Sequence, residues 1–449
     1  MLVEEGNLGV QIAALRKLLG KRPDETDWIA TVPRVGYRLI QQKAVETVRP
    51  SRLPSLAVMP FDNLSGDHTQ DYFADGVVED LITAFSRFHT FAVVSRNASF
   101  RYRGQDVDIR KVARELGVRY LLEGSVRRAG ARLRITAHLT EGDTGEHLWG
   151  RTFDGVVEDI FDVQDHIALH VVGVIEPQIR RAEVERSLRK RPETLDSYDF
   201  VLQALAMLRS VDPDINATAF GFCRSAIARE PTYAHAFNTA AWLLLIRRLL
   251  NWPPLTDDDS AEIMALSAQA VVHGGGDPEI LMLRGDILIQ VAGEFEEGMQ
   301  LVRTAVAASP NNVFILATGA IDNILAGDLD DAVRLATRAM ELSPGDPNLV
   351  VSLFALSHVR IVRGEYAEAL GPAEQAVALN PNVDFAYWML IASHALLGDV
   401  DRARHWLSRF LELRPGMTIA AIASRQRPRW PERFRPVLDG LRLAGMPEG

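Results

Sequence analysis

A glycine, then an acidic residue, then a small residue five places after the glycine recurs four times in the C-terminal half of the chain. The copies begin Gly293-Glu294, Gly327-Asp328, Gly364-Glu365 and Gly398-Asp399, with Gly298, Ala332, Ala369 and Ala403 as the small residues. Successive spacings are 34, 37 and 34 residues. A proline closing an Ala/Leu-rich run keeps the same frame at Pro310, Pro344, Pro381 and Pro415. Two markers sharing one period, three-residue insertion included, predict a stack of helical hairpins. The glycine permits the tight turn between helices. The small residue lets the two helices approach closely, and the proline ends the second helix because it cannot donate to the helical ladder.

A 34-residue unit with these markers resembles the tetratricopeptide repeat, and the resemblance covers about 195–449. Two earlier pairs are degenerate: 196–230, ending at Pro231, and 232–273, with the insertion Asn251-Trp252-Pro253-Pro254. Thr256 before Asp257-Asp258-Asp259 reads as a helix N-cap with first-turn acids, which favours a cap over a metal site. Pro431 to Leu443 reads as a terminal capping helix. The resemblance implies a concave groove for a peptide or partner helix. The competing reading is a spacer or a dimerisation surface, and a homodimer is compatible with either. No groove residue is singled out.

Composition narrows the classes. The single cysteine, Cys223, rules out a disulfide framework or a cysteine metal cage, and fits a cytoplasmic setting. The most apolar stretch, 240–250, is broken by Arg247 and Arg248, so no membrane span is expected and the protein should be soluble. The N-terminus lacks the basic start and apolar run of a signal peptide. Net charge is −10, yet residues 1–52 hold nine Lys/Arg against six Asp/Glu. A local basic module can meet phosphate even on an acidic body.

Within that module Leu8, Ile12, Leu15 and Leu19 form one helical face, and Gly20 sits where a helix ends. A polar loop follows, then a strand-turn-strand over Trp28 to Ile40. Leu-Arg-Lys-Leu-Leu-Gly (15–20), followed by Thr-Val-Pro-Arg-Val-Gly-Tyr-Arg (31–38), resembles the C-terminal part of an OmpR/PhoB-type winged-helix domain. The resemblance implies that Asn7 and Gln11 reach base edges, while Arg16, Lys17 and Arg34 meet phosphate. The family's N-terminal sheet and first two helices are missing here. Either the true start lies upstream of Met1 or DNA binding has been lost.

Residues 41–54 read as a linker, at the place where membrane-spanning regulators of the CadC type carry a transmembrane helix. From 55 to 186 the expected order is βαβαβββα, an α/β sandwich. Its strands are expected at 56–61, 91–95, 120–127, 133–139 and 147–153, and its closing helix at 158–185. Ala57-Val58-Met59-Pro60-Phe61 with Asp62-Asn63-Leu64-Ser65-Gly66-Asp67, Leu121-Leu122-Glu123-Gly124-Ser125, and Gly145-Glu146-His147-Leu148-Trp149 resemble the TolB-N/FlgO-like domain.

Phosphate-binding and nucleophile-elbow motifs are absent. His166 and His170, with Asp162 nearby, are better read as solvated than as ligands. The eleven Lys/Arg between 96 and 134, against four acids, read as the polar side of alternating strands. The expected protein is a multidomain α/β plus all-α chain, not an enzyme, with no catalytic residue, metal or cofactor. It would be a DNA-binding regulator whose repeats receive a protein or ligand signal. The alternative is a repeat scaffold that has lost DNA binding, and a weaker one is an adenylate cyclase-like nucleotide enzyme.

Overall fold

In the computed structural model the chain divides into two units, 1–52 and 53–449. The described residues are 53–449 without 67–70, 89, 106, 131, 157–159, 209, 251, 343–348 and 426–427, together with Ile12, Arg16 and one hairpin in the first unit. The side chains of that hairpin and of 160–170, 192 and 425 fall outside the description. The hairpin pairs β1 (Ile29–Val32) with β2 (Gly36–Leu39), Ile29 opposite Leu39 and Val32 opposite Gly36.

The second unit opens with β3 (Ser55–Val58), β4 (Asp62–Asn63), α1 (Asp71–Phe85), β5 (Ala92–Val93), α2 (Arg96–Ser99) and α3 (Ile109–Leu116). It continues with β6 (Tyr120–Ala129), β7 (Arg132–Glu141), β8 (His147–Val156) and α4 (Ile160–Leu188). The sheet runs β5-β3-β6-β7-β8, with β4 continuing alongside β6. The β3 to β6 side is parallel and the β6-β7-β8 meander antiparallel. Phe73, Val77, Leu81, Val171, Ile175 and Ile179 of α1 and α4 cover one face. Val112 and Ala113 of α3 cover Ala57 and Leu121 on the other. Burial on both faces is why 56–58 is a continuous apolar run rather than an alternating one. Asp108 caps α3 by accepting from the Arg110 amide at 2.9 Å, and Gly117 closes it at φ +66°. Gly124 is fixed by packing, since a Cβ there would lie 2.6 Å from the Phe61 ring.

The remaining helices pair as antiparallel hairpins: α5 (Ser197–Met207) with α6 (Pro213–Arg229), and α7 (Ala234–Leu250) with α8 (Asp259–Gly274). Next come α9 (Pro278–Ile287), extended by a π turn at Leu288–Ala292, with α10 (Phe295–Ala308), and α11 (Val313–Ala326) with α12 (Leu329–Leu342). The last pairs are α13 (Leu349–Val362) with α14 (Tyr366–Leu379) and α15 (Asp384–Leu396) with α16 (Val400–Leu413). Two short helices follow, α17 (Ile419–Arg425) and α18 (Arg435–Leu443). First helices of successive hairpins pack on one another, from α7 on α9 to α13 on α15, so they form the inner row of the curve. All four marker glycines adopt φ between +76° and +99°. The small residues are buried as expected. Gly298 is the tightest: a Cβ there would stand 2.8 Å from the Gly285 carbonyl and 2.6 Å from Ile289.

Two details differ from the sequence reading. The cap of α8 is Asp258, which accepts from the Ser260 and Ala261 amides, whereas Thr256 donates to Asp259. The carboxylate two residues nearer the helix reaches the orphan amides, and Thr256 is left to brace the turn. The expected capping helix exists as α18, with Gly440 against Ala392 of α15. The segment before it, however, doubles back along the array to α11. Arg247, which broke the apolar stretch, is buried and donates to the carbonyls of Pro213 and Pro253, tying the insertion to α6. No helix among the described residues is long and apolar enough to cross a membrane.

Asp286 of α9 and Asp322 of α11 meet inside the array, 5% and 0% exposed. Burial raises the titration of Asp286, with Gln290 and Asp322 as hydrogen-bond partners. Burial and then the Asp286 charge raise that of Asp322 well above the carboxylate range. An unfolded aspartate ionises near pH 3.9, while the folded pair keeps its proton longer, so stability falls as pH rises from there through the folded-state value. Asp322→Asn should remove that slope, about 1.4 kcal/mol per pH unit, in urea unfolding compared between pH 4 and 7. Gly298→Val should cost roughly 1–3 kcal/mol by overpacking in the same assay. Gly371→Ala, in open space within α14, should cost nothing.

Candidate functional site

The sheet and the repeats meet along α4. One face of this helix, Val171, Val172, Ile175 and Ile179, completes the sheet core. The adjacent face carries Glu176, Arg180, Glu183 and Ser187, at helical spacings of four, three and four. Gly173 on α4 lets the helix lie against the end of α12, where a Cβ would stand 3.3 Å from the Leu342 carbonyl. Pro177, four residues on, has no amide to offer the Gly173 carbonyl.

Arg180 holds the centre of this contact. Its Nη2 donates to Glu176 at 2.7 Å on its own helix and to Glu279 at 2.9 Å at the start of α9. Asn312, the cap of α11, donates to the same Glu279 oxygen at 2.8 Å. Burial works against the guanidinium charge, but the two carboxylates outweigh it, and the Arg180 pKa rises above its ordinary value. One guanidinium thus joins α4 to the entry points of two successive inner helices. The planar fork suits Arg to such a two-carboxylate clamp.

Beside it His235, at the start of α7, faces Asp277 with Nε2 to Oδ2 at 3.1 Å. Burial lowers its pKa, but the Asp277 hydrogen bond and charge, followed by Glu279, raise it further, so the net shift is upward. Asp277 also caps α9 by accepting from the Glu279 amide at 2.8 Å. Trp242 and Phe314 close the inner wall with ring centroids 5.0 Å apart. Between these groups lies a cavity of about 70 Å³, also lined by Tyr198 and Asn238.

The C-terminal end of α4 is anchored twice. Glu183, fully buried, accepts from Tyr120 at 2.7 Å and from Arg119 of the sheet side. Lys190 donates to the buried Asp199 at 2.7 Å, and Ser187 donates to the Asp199 carbonyl. Burial, then the Glu183 charge, pushes both Tyr120 and Tyr198 above the usual tyrosine range. The carboxylates of the cleft are already engaged by cations, amides or hydroxyls.

The sequence reading named none of these residues. Nothing local in the sequence shows that Glu279 meets an arginine 99 positions earlier. Of the residues implied by the winged-helix resemblance, Asn7, Gln11, Lys17 and Arg34 lie outside the described residues. Arg16 is helical and half-buried. His166, His170 and Asp162 fall outside the described side chains. In the basic band, Arg96 and Arg103 reach Asp75, Arg119 reaches Glu183, and Arg134 reaches Asp154. Among the described residues no group of three or more His, Cys, Asp or Glu is placed to hold a metal ion.

Comparison with known proteins bears on the repeats first. The tetratricopeptide repeat family model matches residues 354–418, spanning α13 to α16. Putative adenylate cyclase 3 of Rhizobium meliloti (strain 1021) is 38% identical over 226 residues, which is 50% of this chain and 38% of that protein. The chain therefore spans well under two thirds of that relative. Among solved structures, the anaphase-promoting-complex hetero-tetramer Cut9–Hcn1 aligns at TM-score 0.42 and 12% identity, covering 60% of this chain and 49% of its own. YrrB, a TPR protein with an unusual peptide-binding site, aligns at 0.29 and 16%, covering 45% and 96%. The repeat match and the hairpin geometry together make the C-terminal half a tetratricopeptide-type solenoid.

Arg180→Met should leave Glu176 and Glu279 facing each other, partly buried, without the cation between them. The expected loss is roughly 2–5 kcal/mol in equilibrium unfolding, with Arg180→Lys intermediate.

Proposed function

We propose that this chain is a protein-interaction scaffold, in which an α/β domain is locked onto the repeat array and the array receives a protein or peptide partner. The observation that carries the reading is the solenoid itself: a curved row of inner helices with a family match over 354–418. The Arg180 clamp supports it, because a domain fixed to the array is presented at a set angle to whatever the array binds. We place the protein in the cytoplasm and read it as non-catalytic. Burial pushes the Cys223 thiol up to about 12, which makes it packing rather than a nucleophile. The α/β domain fits the TolB-N/FlgO-like resemblance in its element order.

Cross-linking of partners to the purified chain, mapped by mass spectrometry, tests the scaffold reading. Cross-links should fall on α5 to α16. Confinement to residues 55–186 would overturn it. Formation of cyclic AMP from ATP with Mg or Mn would instead establish the cyclase reading that the relative's name suggests.

A second reading keeps the winged helix. The antiparallel β1–β2 hairpin lies where the wing is expected, and Asn7, Gln11, Arg16, Lys17 and Arg34 would meet DNA from a segment of net positive charge. On this reading a mobility shift should appear with the chain, or with the chain extended upstream, and weaken with salt and in Arg34→Ala. No shift with either form leaves the scaffold alone.

A further inference from the structure

The inner face of the array is not empty. From Arg429 to Leu441 the chain lies along it from α10 and α11 toward α13 and α15, in the direction of the repeats. The Arg429 amide donates to the Leu325 carbonyl at 2.8 Å, and the Arg433 guanidinium donates to the Gly327 carbonyl. The Trp430 ring covers Gly327, where a Cβ would stand 2.8 Å from it. Arg429 pairs with Glu296 of α10 at 2.8 Å, one repeat further back. Phe434 then enters the inner row, 4% exposed, with its ring 5.4 Å from His358 of α13.

This strap has two unlike ends. From Phe434 onward it is core: Val437 and Leu441 are fully buried. From Pro428 to Arg433 it is held by exposed groups, with Arg429 44% and Glu296 78% exposed, and ion pairs of that kind contribute little. The surface beneath has a definite charge. Each turn marker places acids at the start of a second helix, where they complement the helix dipole. All these turns lie on one rim. Glu294, Glu296, Glu297, Asp328 and Asp330 are exposed there; Arg429 of the strap pairs with Glu296, Arg433 donates to the Gly327 carbonyl, and Asp330 pairs with Arg363 just past α13.

We infer that the inner rim from α10 to α12 is a binding site for a basic, aromatic peptide of the form Arg-Trp-Pro-x-Arg, filled here by the chain's own Arg429–Arg433. A partner carrying such a segment enters by displacing the strap while α18 stays in place. This rests on the scaffold reading and names the partner chemistry for it. The occupancy is self-limiting, since a tethered segment competes at an effective concentration on the order of millimolar.

The test uses the full chain, wild type and Trp430→Ala/Arg433→Ala, with a labelled peptide of sequence Pro-Arg-Trp-Pro-Glu-Arg-Phe followed by fluorescence anisotropy. Amide exchange at Arg429 reports whether the strap is released. The variant should release it and bind the peptide at least tenfold more tightly than wild type. Glu296→Lys/Asp330→Lys in the variant background should abolish the gain. A released strap without peptide binding overturns the inference, and so does a strap that stays protected in the variant. Dimerisation of the variant without peptide binding, seen by light scattering, would give the face to a second copy and also overturn it. Any of these failures leaves cross-links elsewhere on the array untouched, so the scaffold reading is judged separately.

Discussion

Everything in the larger unit depends on α4 belonging to two cores at once. Its Val171–Ile179 face finishes the sheet, and its Glu176–Ser187 face grips the repeats. A helix that buries one face gains from one hydrophobic core. A helix that also commits the next face to paired charges gains geometry, because the partners must coincide within hydrogen-bond range. Arg180 makes that commitment: Glu176 on its own helix fixes the guanidinium, so sliding α4 along the array breaks its bond to Glu279. Glu183, one turn on, ties the same helix to Tyr120, and Lys190, just past the helix end, ties it to Asp199. The α/β domain is thereby held by ion pairs as well as by apolar contacts such as Gly173 on Leu342.

The solenoid uses charge differently. Its interior accepts Asp286 and Asp322 as a proton-sharing pair, and its outer turns carry acids that stabilise helix starts. The first costs stability near neutral pH, because burial holds both carboxyls above their ordinary range. The second serves local helix energetics and recurs, repeat after repeat, along one rim, where arginines such as Arg334, Arg360, Arg363 and Arg402 pair with part of it. A pattern selected one helix at a time thus becomes a surface property of the whole array.

Much of this was legible in the sequence, and the division follows contact range. Turn glycines, the small residues Gly298 and Ala332, the cap Asp108 and the strand–helix order from 55 to 188 are local facts, and local chemistry states them. β4 was too short to read, and β5 is only Ala92 and Val93 where a strand over 91–95 was expected. Thr256 was taken for a cap because sequence cannot choose among four adjacent capping residues. The cleft was invisible: Glu176, Arg180 and Glu279 look like ordinary surface charges until the fold joins them. The strap was half legible, as a terminal helix whose approach path had no local signature.

The double commitment of α4 also has a consequence in time. During synthesis the sheet and α4 are complete by residue 188, while Glu279 and Asn312 are about a hundred residues away, on the order of ten seconds of translation. Through that interval Glu176 and Arg180 must remain hydrated on an exposed helix face. The nascent α/β domain is therefore born with its docking surface polar rather than greasy. An apolar equivalent would have offered every neighbouring chain on the polysome a sticky helix; an ionic one waits in water for its own repeats.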